Sequence, residues 1–149
     1  MKTDPGYDLV SAVMATADAF LRESHRLFRP HGLSGAQYNL LNVVALSADG
    51  LSQRELSDHL VVDRSNITGL LDRMEKAGWV RRTDHPEDRR VYRVVLTPAG
   101  RALWEKITPQ YLAVVRQVTS KIPIRRQREA CTTLRQLEEA APRWKLPPA

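Results

Sequence analysis

The chain has 149 residues, enough for one domain with its own hydrophobic core, and a net charge of +6 at pH 7. No apolar run approaches the roughly 20 residues of a membrane span, and the first residues lack the apolar segment of a signal peptide, so we expect a cytoplasmic protein without membrane contact. The single cysteine, Cys131, excludes an intramolecular disulfide and fits a reducing compartment.

Two helices are predicted before residue 50. Apolar side chains at helical spacing predict a long amphipathic helix from about Tyr7 to Phe28. Residues 34–37 have the form S-x-x-Q, a capping box that predicts the start of a second helix reaching about Leu46. The Asp-Gly pair at 49–50 then favours a break in the chain.

A second capping box predicts a third, short helix. Residues 52–55 have the form S-x-x-E, and Leu51 and Leu56 flank them at the spacing of a hydrophobic staple. We expect Leu56 and Leu60 to point inward, and the two valines at 61–62 to carry the chain around a turn.

A fourth helix is predicted from about Arg64 to Ala77, with Asp63 as its N-cap and Gly78 ending it. Its buried stripe at helical spacing consists of Ile67, Leu70, Leu71 and Met74. The opposite face carries hydrogen-bonding side chains that fit a DNA groove, and an arginine near each end: Arg64, Ser65, Asn66, Thr68, Gly69 and Arg73. An ordinary solvated helix face has a similar composition, and the neighbouring Asp72 and Glu75 would repel phosphate.

Two strands are predicted next, joined by a polar turn. Residues 79–83 and 91–96 are rich in β-branched and aromatic side chains. In the turn between them, Asp88 can hold the loop while Arg89 and Arg90 project at its tip. An arginine at such a tip can enter a narrow minor groove, where the potential is most negative.

These elements resemble the multiple antibiotic resistance regulator (MarR) family of transcription regulators. The resemblance is carried by the run from Asp63 to Gly78, by Asp88-Arg89-Arg90, and by Leu96-Thr97-Pro98-Ala99-Gly100. Residues 32–38 also match the family's entry into its second helix, so the resemblance covers nearly the whole chain. It implies a mainly α fold with a small β-hairpin wing, a winged helix-turn-helix flanked by N- and C-terminal dimerisation helices.

The resemblance also implies a division of the chain and a set of DNA contacts. The first dimerisation helix would occupy residues 1–32, the DNA-binding domain 33–100, and the C-terminal dimerisation helices 101–149. The DNA-binding side chains would be Arg64, Ser65, Asn66, Thr68, Gly69, Arg73, Asp88, Arg89 and Arg90. Gly69 departs from the family pattern, because many members carry arginine there, and this leaves base preference at that point open.

The C-terminal part is predicted to form two further helices. Thr97 caps the first, with Pro98 at its first position, and Pro123 ends it. The second is expected from about Ile124 to Ala141. Together with the first helix of the chain, these amphipathic segments need partners for their apolar stripes. The resemblance implies a homodimer whose terminal helices interlock, and packing within a monomer is the alternative.

The positive charge lies outside the predicted DNA-reading block. Residues 51–100 carry 9 basic and 8 acidic side chains, whereas residues 101–149 carry 10 basic and 4 acidic ones. Net charge therefore supports nucleic-acid binding only weakly, and the arginines of the fourth helix and the turn are the better argument.

No sequence pattern indicates catalysis. The histidines and the cysteine lack metal-ligand spacing, and there is no phosphate loop or nucleophile motif, so we expect no enzyme activity, metal or cofactor. The resemblance does imply a small, often phenolic, acidic effector. Candidate contacts are Phe20, His25, Phe28, Tyr38, Trp104 and Tyr111. In general, an aromatic stripe at helical spacing is more often part of a core or a dimer interface than of a ligand site.

The sequence therefore predicts a homodimeric, sequence-specific DNA-binding regulator. We expect a repressor that binds a pseudo-palindromic operator on double-stranded DNA and is released by a small aromatic effector. The alternative is a winged-helix module that binds protein partners without reading DNA. Small hydrogen-bonding residues on the fourth helix disfavour it, since protein-binding faces more often expose aromatic or aliphatic anchors.

Overall fold

The computed structural model describes residues 4–60, 64–84 and 92–143, with the backbone alone at 64 and 65. Its helices within these residues are α1 (Pro5–Phe28), α2 (Gly35–Ala45), α3 (Gln53–His59), α4 (Arg64–Lys76), α5 (Pro98–Thr119) and α6 (Ile124–Ala140). Single 3-10 turns follow α1 (Arg29–His31) and α6 (Ala141–Arg143), and the strands are β1 (Leu51–Ser52), β2 (Val80–Asp84) and β3 (Tyr92–Leu96). The predicted mainly α fold with a small β wing is confirmed. None of the described helices is long and apolar enough to cross a membrane.

Side-chain caps start the helices where the sequence signals them. Asp4 Oδ1 accepts hydrogen bonds from the backbone N–H of Gly6 at 2.7 Å and of Tyr7 at 3.2 Å. With Pro5 at its first position, α1 therefore begins two residues earlier than predicted. It ends at Phe28, as predicted.

Both predicted capping boxes are confirmed. Ser34 N–H donates to Gln37 Oε1 at 2.7 Å, and Gln37 N–H donates to Ser34 Oγ at 3.2 Å. The second box has the same reciprocal pattern, with 2.8 Å from Ser52 N to Glu55 Oε2 and 3.2 Å from Glu55 N to Ser52 Oγ. These two hydrogen bonds with Ser52 lower the pKa of Glu55, because they stabilise its ionised form.

The sheet has three antiparallel strands in the order β1-β3-β2, so the prediction of a two-stranded hairpin was incomplete. Leu51, predicted only as a staple residue, also pairs with Val94 of β3. The β2 strand starts one residue later than predicted, because Trp79 N–H donates to Met74 O at 3.0 Å and belongs to the helix end. Gly78, with φ +74°, supplies the left-handed residue of this Schellman-type cap.

The core lies between α2, α3, α4, α5 and the sheet. The predicted stripe of α4 is buried, as are Leu56 of α3 and Leu60 directly after it. Other buried members come from α1, the loop before α2, α2, both wing strands and α5: Phe28, Leu33, Tyr38, Leu40, Leu41, Val44, Val80, Val94 and Ile107.

The start of α5 is tied directly to the end of α4. Thr97 Oγ1 accepts from Gly100 N at 3.0 Å, which confirms the predicted cap, and the same hydroxyl donates to Gly78 O at 2.6 Å. Gly100 packs against backbone, since a Cβ at this position would lie 1.9 Å from Trp79 O. Glycine is therefore required here by close approach rather than by turn geometry.

The chain divides into two compact units, residues 1–110 and 111–149. Every buried hydrophobic side chain of the described residues lies in the first unit. In the second unit, no residue between 111 and 143 is buried. The three-part division of the sequence stays a prediction.

Candidate nucleic-acid interface

The exposed face of α4 is the candidate interface. Asn66, Thr68 and Arg73 are exposed and Gly69 is half-buried, on the side of the helix opposite its buried stripe. Arg64 and Ser65 form the first two positions of α4. This face therefore presents a hydroxyl, an amide and a guanidinium group within about two helical turns.

Gly69 makes the middle of this face shallow. A Cβ placed on Gly69 would meet only Arg73 Nη1, at 3.6 Å, which is an ordinary contact distance. The helix fold does not itself require glycine here, because the backbone has ordinary helical geometry and space is open beside it. What the glycine provides is room for another molecule to approach the helix backbone closely.

Side chains from α3 and β2 contact one edge of α4. Thr68, Asp72 and Glu75 follow one another at i, i+4 and i+7 and so share that edge. At its N-terminal end, Gln53 Nε2 of α3 lies 2.7 Å from Thr68 Oγ1. The bond fixes the side chain of Thr68 relative to α3.

At the C-terminal end of this edge, Arg82 of β2 pairs with both acidic residues. Its Nη2 donates to Asp72 Oδ1 at 2.6 Å, its Nη1 forms an ion pair with Glu75, and its backbone N–H donates to Glu75 Oε1 at 3.0 Å. The hydrogen bond to Asp72 is the main cause that raises the pKa of Arg82. Arg82 therefore neutralises Asp72 and Glu75 in part, and their expected repulsion of phosphate stays a prediction.

A second arginine, not singled out from the sequence, joins the wing to the loop before β1. Arg93 Nη1 of β3 donates to the carbonyls of Asp49, at 3.2 Å, and Gly50, at 3.0 Å. Gly50 has φ +72° and lies so close to β3 that a Cβ would come within 2.6 Å of Val94 O. The wing base is thus fixed by backbone contacts on one side and by Arg82 on the other.

The wing tip predicted to enter the minor groove, with Asp88, Arg89 and Arg90, lies outside the described residues. The two strands that lead to it pair in register from Val80 opposite Leu96 to Asp84 opposite Tyr92.

The six residues named as candidate ligand contacts lie in different surroundings. Phe28 and Tyr38 stack with ring centroids 4.5 Å apart and are both buried in the core. Phe20 and His25 are exposed on α1, and Tyr111 belongs to the second unit.

The polar groups of the core aromatics serve contacts between α2 and α5. Thr108 Oγ1 donates its only hydrogen to Trp104 O at 2.7 Å, so the 3.2 Å contact with Tyr38 Oη has the tyrosine as donor. Trp104 Nε1 donates to Asn42 Oδ1 at 3.1 Å, and Arg101 Nη1 donates to Ala45 O at 3.4 Å.

We call these three contacts the α2–α5 ladder. Its rungs join Tyr38 to Thr108, Asn42 to Trp104 and Ala45 to Arg101, with the spacing of successive helical turns on both helices. Arg101 also lies over the indole of Trp104, 5.6 Å from its centroid. The ladder sets the register of α5 on α2.

Among the residues that the structure describes, no three histidine, cysteine or acidic side chains are grouped as they would be around a metal ion. Cys131 is exposed on α6.

Comparison with known proteins identifies related chains. A family model described as the MarR family matches residues 31–91. The transcriptional regulator TtmR of Methylorubrum extorquens is 40% identical over 100 residues, which are 66% of this chain and 50% of that protein. The transcriptional repressor YetL of Bacillus subtilis is 34% identical over 92 residues, 61% of this chain and 55% of that protein. The chain spans about half the length of the curated relatives it matches.

Solved structures extend the similarity over most of the chain. The MarR-family regulator Sco3205 of Streptomyces coelicolor, crystallised in complex with DNA, is 28% identical with a TM-score of 0.80, covering 94% of this chain and 90% of that one. The fold is that of a winged helix-turn-helix protein. The chain resembles the transcription regulators of the MarR family, in sequence over residues 31–91 and in structure over most of its length.

Proposed function

We propose that the protein binds double-stranded DNA as a homodimer, reads a pseudo-palindromic operator and represses transcription from it. The observation that carries the proposal is the exposed face of α4, where the hydrogen-bonding side chains of Asn66, Thr68 and Arg73 are exposed while the acidic residues of the same helix are paired with Arg82. The relative Sco3205, whose structure contains DNA, supports the same use of this fold.

The proposed contacts divide between the two grooves. Side chains of α4 would enter the major groove, where donors and acceptors of the bases can be distinguished: Arg64, Ser65, Asn66, Thr68 and Arg73, with Gly69 allowing close approach. Arg89 and Arg90 would reach the adjacent minor groove, with Asp88 holding the turn.

Homodimer formation is proposed from the exposed apolar side chains of the terminal helices. On α1, Val10, Met14 and Leu21 are each more than half exposed. In the second unit, the C-terminal part of α5 and the described residues of α6 contain no buried side chain, and segments of this size rarely fold without a partner. A two-fold axis would place the two copies of α4 on half-sites about 34–36 Å apart.

Repression is proposed because a dimer spread over two half-sites excludes other proteins from that DNA. The relative YetL is named as a repressor, which supports this direction. A reporter gene placed behind the operator would be expressed more strongly when the regulator is deleted. Lower expression on deletion would show an activator instead.

We also propose that a small aromatic acid releases the protein from DNA, through the aromatic residues named from the sequence: Phe20, His25, Phe28, Tyr38, Trp104 and Tyr111. Tyr38 and Trp104 use their polar groups in the α2–α5 ladder. An effector that competes for those hydrogen bonds would change the register of α5 on α2. Titration of substituted benzoates and cinnamates into the protein–operator complex tests this, and release at micromolar concentrations by one of them is expected.

The central test is selection of genomic DNA fragments by the purified protein near physiological salt. Enrichment of one two-fold symmetric motif of roughly 16–20 bp is expected, since the half-sites lie one helical turn apart. If no motif is enriched and binding to duplex does not weaken with added salt, the protein-interaction alternative replaces this proposal.

A matched pair of variants ties the binding to α4. Arg73→Ala and Arg128→Ala each remove one exposed arginine, the first from α4 and the second from α6. Arg73→Ala should weaken operator binding by about tenfold. It should also reduce the slope of log affinity against log salt concentration by about one, the value for one lost phosphate contact, whereas Arg128→Ala should leave affinity and slope nearly unchanged. Equal losses would mean that charge alone, and not α4, is responsible.

A further inference from the structure

The bond between Gln53 and Thr68 has a chemical direction. Gln53 is the first residue of α3, directly after the N-cap residue Ser52, and its Nε2 lies 2.7 Å from Thr68 Oγ1. An amide nitrogen is a donor only, so the threonine oxygen accepts. Both side chains are exposed on the side of α4 that carries the candidate interface.

This direction determines what the hydroxyl of Thr68 can offer to a partner. A hydroxyl has one hydrogen and two lone pairs, and the amide of Gln53 occupies one lone pair. The bond to Gln53 is the one hydrogen bond of this hydroxyl within the described residues. Its hydrogen therefore points away from Gln53, and accepting one hydrogen bond makes a hydroxyl a stronger donor in the next.

We infer that Gln53 is a positioning residue that makes Thr68 a hydrogen-bond donor to DNA, an inference that rests on the proposed function. The matching groups on DNA are acceptors: phosphate oxygens, the N7 of purines, O6 of guanine and O4 of thymine. The amino groups of adenine and cytosine are donors, and only the one lone pair that Gln53 leaves on Thr68 could accept from them. Gln53, which sequence analysis did not include among the DNA contacts, thus favours acceptor groups as the partners of Thr68.

A double-mutant cycle tests this inference. The variants are Gln53→Ala, Thr68→Val, which replaces the hydroxyl by a methyl group of similar size, and their combination. Operator affinity is measured by fluorescence anisotropy at one fixed salt concentration. Each single variant should weaken binding about fivefold to tenfold, the effect of one hydrogen bond. Because Gln53 acts through Thr68, the double variant should bind no more weakly than Thr68→Val alone.

Two control variants separate this role from a general loss of structure. Thr68→Ser keeps the hydroxyl and should bind within about twofold of the unchanged protein. Gln110→Ala removes the same kind of side chain from an exposed position of α5 and should have no effect. Multiplicative losses from Gln53→Ala and Thr68→Val would overturn the inference, because they would show that Gln53 contacts DNA independently.

A duplex of scrambled sequence shows whether Thr68 donates to a base or to a phosphate. If Thr68 donates to a base, Thr68→Val should weaken operator binding and leave scrambled DNA unaffected; if it donates to a phosphate, both should weaken equally. Either result supports a donor role when the cycle is non-additive. If the unchanged protein fails to prefer its operator over scrambled DNA, the proposed function itself fails, which is a different outcome from an additive cycle.

Discussion

At the scale of single residues, Gly69 separates the demands of folding from those of binding. The substitution Gly69→Ala should stabilise the protein by about 0.8–1 kcal/mol, because alanine is the better helix former and the added methyl meets only a flexible arginine side chain. Operator affinity should fall by about tenfold or more, the size of one lost base contact, since the methyl group would block close approach of the duplex. Urea denaturation and fluorescence anisotropy measure the two effects.

Gly78 provides the matched control for this substitution. Gly78→Ala makes the same chemical change at a residue with φ +74°, where alanine is strained, and should destabilise the protein by about 1 kcal/mol. If Gly69→Ala raised stability and left operator affinity unchanged, the duplex would not come close to this part of α4.

Single-residue signals were readable from sequence where they are local. Ser34, Ser52 and Thr97 each indicate the start of a helix, because the hydrogen bonds of each cap join residues only three positions apart. The contact of Gln53 with Thr68 and the pairs of Arg82 join residues on different elements. Their partners depend on how α3, α4 and β2 pack, and no local pattern contains that information.

At the scale of elements, Arg82 joins the wing to α4, and its removal should affect both folding and binding. Arg82→Gln would leave Asp72 and Glu75 without their cation on an edge that adjoins the interface. We expect a stability loss of about 1 kcal/mol, modest because both carboxylates are partly exposed, and operator binding weakened by about tenfold or more through repulsion of phosphate.

Arg81→Gln is the control for this prediction. Arg81 precedes Arg82 on the same strand and is exposed, so both variants lose one positive charge from β2. Thermal unfolding and anisotropy should show clearly larger losses for Arg82→Gln. Equal effects would indicate that only the charge of the wing matters and that its pairing with α4 does not.

The α2–α5 ladder makes a second prediction about how elements are joined. Trp104→Phe would leave Asn42 Oδ1 without the half-buried indole N–H that donates to it. The free energy of unfolding should fall by about 1–3 kcal/mol for the lost hydrogen bond, in addition to the loss caused by the smaller ring. Replacing both partners, Asn42→Leu with Trp104→Phe, should cost less than the sum of the two single changes. Urea denaturation of the three variants gives the coupling energy, which should be about 1 kcal/mol.

Trp79→Phe serves as the comparison for the ladder. Trp79 is also half-buried, but its hydrogen bonds in the described structure come from its backbone. The stability losses of Trp79→Phe and Asn42→Leu should therefore be additive. Additive costs for Asn42 and Trp104 would mean that their hydrogen bond contributes nothing to the register of α5.

The elements themselves were largely predictable, and the exceptions have a physical cause. Long amphipathic patterns identify α1, α4 and α6 to within about two residues, whereas α5 ends at Thr119, before the Pro123 that was expected to end it. The strand β1 was missed because two residues are too few to show alternation, and its strand character comes from pairing with β3 more than 40 residues later. Nonlocal pairing of this kind leaves no periodic signal.

At the scale of the whole molecule, the exposed apolar side chains of the second unit support the proposed dimer. They include Leu112, Val118, Ile122 and Leu134. We expect Val118→Glu to weaken dimer formation at least about 100-fold, since it would bury an unpaired charge in an apolar interface. Sedimentation equilibrium measures the dissociation constant directly.

The neighbouring substitution Gln117→Glu introduces the same side chain at an exposed polar position of α5 and should leave the dimer unchanged. A monomeric unchanged protein at micromolar concentration, or a fully dimeric Val118→Glu, would show that the apolar faces of the second unit are not the interface.

The dimer and the operator can be tested together through the spacing of the half-sites. Inserting 5 bp between them turns one half-site by about half a helical turn and moves it by about 17 Å, so a dimer of fixed geometry could engage only one. The affinity of the unchanged protein should then fall by about 100-fold or more, because the second contact is no longer intramolecular. The Val118→Glu variant binds half-sites one at a time, so its affinity should be low but insensitive to the insertion. If the insertion weakened both proteins equally, it would have damaged the bases that are read rather than their spacing, and the two-fold reading mode would be wrong.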